Sequence, residues 1–219
     1  WTDGSFSDWT MINSTISGNT ATSGGGVAMW DGPSPTLINV TVEDNASVAT
    51  WVSNGYGGGV WGNNVNPNFR YCTIQNNTAN ANGGGVNFYG GGTAELTNCL
   101  IVGNSASAGG AVEIQDGINA TITNCTITEN SASTVGGISM ITGAHSTITN
   151  SIVWSNTSNE ISGSATVTYS DIEGGYNGEG NIDADPLFTD ASNGDYTLQY
   201  FDSPCIDAGT ADLDGDGQE

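Results

Sequence analysis

The feature that most limits what this chain can become is a repeat of about 26 residues. An aliphatic residue, two variable residues and then Asn recur in phase. The Asn positions are Asn19, Asn45, Asn77, Asn104, Asn130 and Asn156, spaced by 26, 32, 27, 26 and 26. A glycine-rich tract ending in an aliphatic residue keeps step, closing at Val27, Val60, Val86, Val112 and Ile138. A second Asn lies six residues before the first, at Asn13, Asn39, Asn98, Asn124 and Asn150, with Tyr71 in the remaining place. Units this short cannot each bury a core, so they must stack on one another.

The pattern inside one unit gives its conformation. In Ile122-Thr123-Asn124-Cys125-Thr126-Ile127 the alternation of apolar and polar residues slips by one at Asn124. Two short strands joined by a one-residue left-handed corner account for the slip. Asn is the non-glycine residue that tolerates such a corner best. A third strand begins after each glycine tract, where Val86 and Phe88, Val112 and Ile114, and Ile138 and Met140 alternate with outward residues. Three short strands per unit predict an all-β chain, a right-handed parallel β-helix of six to seven coils. Stacked Asn at the corners are expected to hydrogen-bond along the axis. The coils are expected over residues 1–163, a terminal coil and C-terminal cap over 164–211, and an acidic tail or linker over 212–219. The longer second unit predicts a projecting loop over residues 46–56.

Inward positions then stack by type. Met11, Leu37, Phe69, Leu96, Ile122 and Ile148 make one column, and Ile16, Val42, Ile74, Ile101, Ile127 and Val153 another. Cys72, Cys99 and Cys125 share an inward position with Ser14, Val40 and Ser151, and read as small buried residues rather than disulfides.

Charge narrows the partners. The chain carries 23 Asp and Glu against one Lys or Arg, a formal net charge of −22. Nucleic acid is excluded, because phosphate contacts need clustered basic residues. Cations are what such a surface attracts, calcium above all. No apolar run is long enough to span a membrane. An opening at Trp1, without Met or a leader, reads as a piece of a longer precursor.

The glycine tracts and the x-x-Asn motif resemble the repeats of polymorphic outer-membrane proteins, bacterial right-handed β-helices of the cell surface, with Ile or Val where that family has Phe. The segments Gly180-Asn181-Ile182-Asp183-Ala184-Asp185-Pro186-Leu187-Phe188 and Ser203-Pro204-Cys205-Ile206-Asp207-Ala208-Gly209 are similar to the closing segment of large secreted β-helix proteins of environmental bacteria. The resemblance implies secretion or display at a cell surface. Its members include adhesins, passenger domains and lyases, so function has to be argued from the residues.

Three groups of residues invite that argument. Asp212-Leu213-Asp214-Gly215-Asp216-Gly217 fits the start of a calcium loop, with Asp212, Asp214 and Asp216 as ligands, and fits equally a solvated acidic linker. Asp183, Asp185 and Asp190 read as loop caps. Trp30, Trp61 and Tyr89 should point outward from the strands after the glycine tracts, forming an aromatic face suited to sugar rings or a protein partner. The alternative is that the loop of the second coil, with Trp51 and Tyr56, covers Trp61. No catalytic set emerges. Arg70 is the only basic candidate for a lyase, Glu113 and Asp116 lie on one outward strand far from Asp31, and His145 reads as a lone surface turn residue. The sequence therefore predicts a non-enzymatic extracellular rod, structural or adhesive, with calcium support and self-association end to end or side by side. The alternative is a glycan-binding or polysaccharide-degrading protein using the aromatic face.

Overall fold

The computed structural model describes residues 8–32, 34–50 and 54–209. The chain winds as a parallel β-solenoid of about six turns. Every strand of the solenoid pairs with the equivalent strand one coil away, without a slip of register along the axis. The first coil spans residues 10–30, the second 36–63, the third 68–89 and the fourth 93–114.

The third to fifth coils carry four strands, where alternation predicts three; in the first two coils the strands on either side of the Asn corner run on as one, Thr10–Ser17 and Thr36–Glu43. The additional one is a two-residue strand just after the repeated Asn, as in Thr20–Ala21, Ala46–Ser47, Thr78–Ala79, Ser105–Ala106 and Ser131–Ala132. Two residues are too few to show a period, which is why the pattern hides it. The same strand corrects the projecting loop, because Ala46 and Ser47 lie in register with the neighbouring coils and Tyr56 bridges Ser23. Of that loop, residues 51–53 lie outside the described residues.

The corner Asn residues take the predicted left-handed conformation, with φ of 50° at Asn13, 52° at Asn39, 55° at Asn98 and 54° at Asn124. In this column the Asn39 Nδ2 donates to the Asn13 Oδ1 at 2.8 Å, but the continuous axial ladder belongs to the other Asn column. At Asp44, Asn76, Gly103, Glu129 and Ser155 the residue before the repeated Asn is left-handed, which turns that Asn into the core. Asn77, Asn104 and Asn130 are completely buried. The Oδ1 of Asn104 accepts from both the backbone N–H and the Nδ2 of Asn77, each at 2.9 Å, and Asn104 repeats the pattern on Asn130 at 3.0 and 2.9 Å. The ladder runs from Asn19 to Asn156, where the Glu160 carboxylate takes the place of a further Asn and accepts from the Asn156 backbone N–H and Nδ2.

The predicted apolar columns fill the interior. Leu37, Phe69, Leu96, Ile122 and Ile148 are fully buried in one, and Val42, Ile74, Ile101, Ile127 and Val153 in the next. Cys72, Cys99 and Cys125 are buried free thiols, each donating to main-chain carbonyls, as small core residues should.

The glycine tracts are set by close approach of coil to coil. A Cβ on Gly84 would lie 2.5 Å from the Gly110 carbonyl oxygen and 2.6 Å from the Ser105 backbone. Backbone cannot retreat from both, so Gly84→Ala should cost about 3 kcal/mol or more, read from chemical denaturation followed by circular dichroism.

Past the sixth coil, Ser164–Thr168 and Asp171–Ile172 extend the two sheets that flank the Asn corner. The chain then reverses. An antiparallel hairpin of Phe188–Asp190 and Asp195–Leu198 folds back along the solenoid, and the Tyr196 hydroxyl donates to the Glu129 carboxylate at 2.9 Å. Tyr196 thereby lies over the corner residues Asn98 and Asn124.

Candidate functional site

The glycine-tract sheet is built from Val27–Trp30, Val60–Asn63, Val86–Tyr89, Val112–Ile114, Ile138–Met140 and Ile161–Ser162. Its inward residues enter the core, so the residues between them must face out. One outward row reads Ala28, Trp61, Asn87, Glu113 and Ser139; a second begins Trp30, Asn63 and Tyr89.

The first row sits at the bottom of a bend. Gly57, Gly83 and Gly109 each take a left-handed conformation, and the chain turns so sharply there that the outward residue four places on lies against the glycine. A Cβ on Gly57 would meet Trp61, one on Gly83 would meet Asn87, and one on Gly109 would meet Glu113. The row is therefore the floor of a concave strip along the axis, outward by alternation yet sheltered. Asn87 and Glu113 are each only 1 % exposed.

The three aromatic residues singled out from the sequence do gather here. Trp30 and Trp61 pack edge to face, with ring centroids 5.0 Å apart and planes at 69°. Trp30 is 47 % exposed and Tyr89 41 %. Trp61 is half-buried, and Tyr56 from the second-coil loop stands beside it. A cleft of about 240 Å³ opens between Tyr56, Trp61, Asn87, Tyr89 and Gln115, drawing on the second to fourth coils. Trp30 is at its rim, through Trp61, rather than in its lining. Trp51 lies outside the described residues.

The floor is polar and incompletely satisfied. The Asn87 Nδ2 and the Glu113 Oε2 are buried without a well-formed hydrogen bond, while Glu113 Oε1 accepts from the Asn82 Nδ2 at 3.3 Å. Burial pushes the Glu113 carboxyl up to about 6, with the Ser139 hydroxyl opposing the shift. Sequence alternation places Glu113 in solvent; the Gly109 bend places it under cover. The signal that could have found it is the glycine four residues upstream in each tract.

The other candidates are dispersed. Asp31 and Asp116 occupy left-handed corners beyond the strands, with φ of 46° and 54°, so Asp116 is not on the strand that carries Glu113. His145 opens the strand His145–Thr149 rather than sitting in a turn, and its ring nitrogens meet the Ser164 and Thr166 hydroxyls at 2.9 and 3.3 Å. Arg70 donates from Nε to Asn68 on a different sheet. Asp183 and Asp185 accept from the backbone N–H groups of Gly174 and Leu187, and Asp190 accepts from Ser192 and Asn193, all as loop caps. Asp212, Asp214 and Asp216 lie outside the described residues. Among the described residues no group of three or more His, Cys, Asp or Glu is arranged to hold a metal ion, and no helix is long and apolar enough to cross a membrane.

Comparison with known proteins agrees with the fold. The family profile described as "Right handed beta helix region" matches residues 2–110 and 58–180. Neither the curated proteins nor the solved structures contain a match to the chain. The profile covers well over half of the sequence in two overlapping stretches, as a repeat array should, and the chain belongs to the right-handed β-helix family.

Proposed function

We propose that the protein is an extracellular, non-catalytic rod, structural or adhesive, that carries contact surfaces along its side and self-associates end to end or side by side. The observation that carries this reading is the unbroken stack of parallel strands over about six coils, which gives sheet faces running along the axis. The loop through Tyr176 and Ile182 covers the C-terminal coil. At the other end Thr10–Ser17 pairs only with Thr36–Glu43, and among the described residues nothing pairs with its outer edge. Met11, Ile16 and Val27 are only partly buried there, whereas their equivalents one coil on are sealed. A parallel edge of this kind takes a further strand, from the chain before Thr10 or from a second copy. Residues 1–7, with Trp1, lie outside the described residues.

Calcium enters the same proposal through Asp212, Asp214 and Asp216, whose spacing suits oxygen ligation, and through a net charge of −22 that cations would neutralise. Electron microscopy and sedimentation of the whole chain, with calcium and then with chelator, test both parts. Filaments or ordered bundles are expected with calcium, loosening on chelation. Single short rods in both conditions at high concentration would overturn association, and identical assemblies in both would remove calcium from the account.

Glycan contact on the side face has an observation of its own in support. The cleft beside Trp61 and Tyr89 is smaller than the ~300 Å³ at which pockets for drug-sized ligands begin, and its walls are flat rings. That combination suits one sugar ring of a longer chain lying across the rod.

A further inference from the structure

We propose that the cleft at Trp61 and Tyr89 binds an uncharged sugar ring, with the Asn87 amide as the donor that reads one of its hydroxyls. The inference rests on the aromatic side being a contact face, and it adds the ligand class and the polar residues that select it.

The Asn87 Nδ2 belongs to the cleft lining and is buried without a hydrogen-bond partner. Asn87 and Glu113 are paired residues on adjacent strands, and neighbouring strands are about 4.8 Å apart. Glu113 is not part of the cleft lining, so the Asn87 amide is the donor that the cleft presents. Leaving such groups unpaired is costly, and native structures rarely do so without a reason. A ring hydroxyl supplies the acceptor that the Asn87 amide lacks. Gln115 on the cleft wall adds an amide that can donate or accept.

The walls select a ring. Trp61 and Tyr89 contribute flat apolar surface with polar edges, to which the C–H face of a sugar can pack. Charge selects a neutral one. The only basic side chain, Arg70, belongs to another sheet, and the field of a chain with net charge −22 opposes uronates and sulfated sugars.

The test is calorimetric titration of the whole chain with neutral hexasaccharides of glucose, mannose, galactose, xylose and N-acetylglucosamine, and with hexagalacturonate as the charged probe. At least one neutral sugar should bind and hexagalacturonate should not. Asn87→Ala and Tyr89→Ala should each weaken binding by about tenfold, while Phe201→Ala, at a residue 90 % exposed on the tail, should leave it unchanged. Tyr89 is exposed, so Tyr89→Ala decides the matter if Asn87→Ala fails to fold. No binding of any neutral sugar at millimolar concentration, equal binding of hexagalacturonate, or unchanged affinity in Tyr89→Ala would overturn the assignment. Neither variant touches the open N-terminal edge, so assembly in the same preparations is read separately and can fail or hold independently.

Discussion

Asn104→Ala should destabilise the protein by about 3–5 kcal/mol, among the largest losses a single substitution can cause. The side chain makes five hydrogen bonds in a fully buried setting. Its Oδ1 accepts twice from Asn77, and its Nδ2 donates to the carbonyls of Ile74 and Val102 and to Asn130. Truncation strips partners from the Asn77 backbone N–H, the Asn77 amide and the Ile74 carbonyl at once. Each buried polar group left unpaired costs about 1–3 kcal/mol. Asn104→Asp should be no gentler, since it keeps the acceptor but removes the donor and buries a charge. The comparison that gives the experiment its meaning is Asn124→Ala, in the other Asn column. Asn124 forms an outer corner at φ 54°, and its loss should cost only about 1 kcal/mol, the preference of Asn over Ala for a left-handed conformation. Urea denaturation of both variants, followed by far-ultraviolet circular dichroism, measures the difference. Equal losses at the two positions would show that the ladder carries no special share of the stability.

That contrast also marks where the sequence could be read and where it could not. The apolar columns were legible because a strand has a period of two, and residues such as Leu96, Ile101 and Val112 keep it coil after coil. The left-handed corner was legible because alternation slips there by one residue. Which Asn column forms the ladder was not, because both recur with the repeat and composition does not say which way a side chain points. The orientation is set one residue earlier, by the left-handed Asp44, Asn76, Gly103, Glu129 and Ser155. A clue did exist. The outer corner accepts Tyr at Tyr71 and Tyr169, both left-handed, whereas the ladder position is Asn in all six repeats. A solvent-facing corner tolerates any side chain that can bear the strain, but a ladder rung must both donate and accept. The aromatic face was legible in outline, since counting from Val27, Val60 and Val86 puts Trp30, Trp61 and Tyr89 outside. Its floor was not. Alternation gives the side of the sheet on which Asn87 and Glu113 emerge, but their burial follows from the bends at Gly83 and Gly109, which no strand period encodes.

Glu160→Gln should raise the melting temperature at pH 8 and flatten its dependence on pH. Glu160 ends the ladder by accepting from Asn156, and Glu173 lies beside it. Burial, reinforced by the Glu173 carboxylate, pushes the Glu160 carboxyl up from 4.5 to about 7, against the hydrogen bonds from Asn156 that favour the charged form. The folded protein then holds this proton more tightly than the unfolded chain. Between pH 4.5 and 7 the folded state binds more protons, so stability is greatest below that window and falls as pH rises through it. Solvent reaching the carboxylate from the adjoining cleft screens part of the effect, leaving about 1–2 kcal/mol. Glu113 acts in the same direction, over the range from 4.5 to about 6. The amide oxygen of Gln can accept from both Asn156 groups, as a single Oδ1 does at every other rung, without carrying a charge. Glu160→Gln should therefore gain about 2–4 °C at pH 8 for each kcal/mol recovered, and little or nothing at pH 4. General repulsion among the remaining carboxylates will keep some slope in both proteins, so the difference between them is the quantity to read. A variant that melts lower than the parent at pH 8, or whose melting temperature runs parallel to it across the range, would show that the end of the ladder is not where the proton is held.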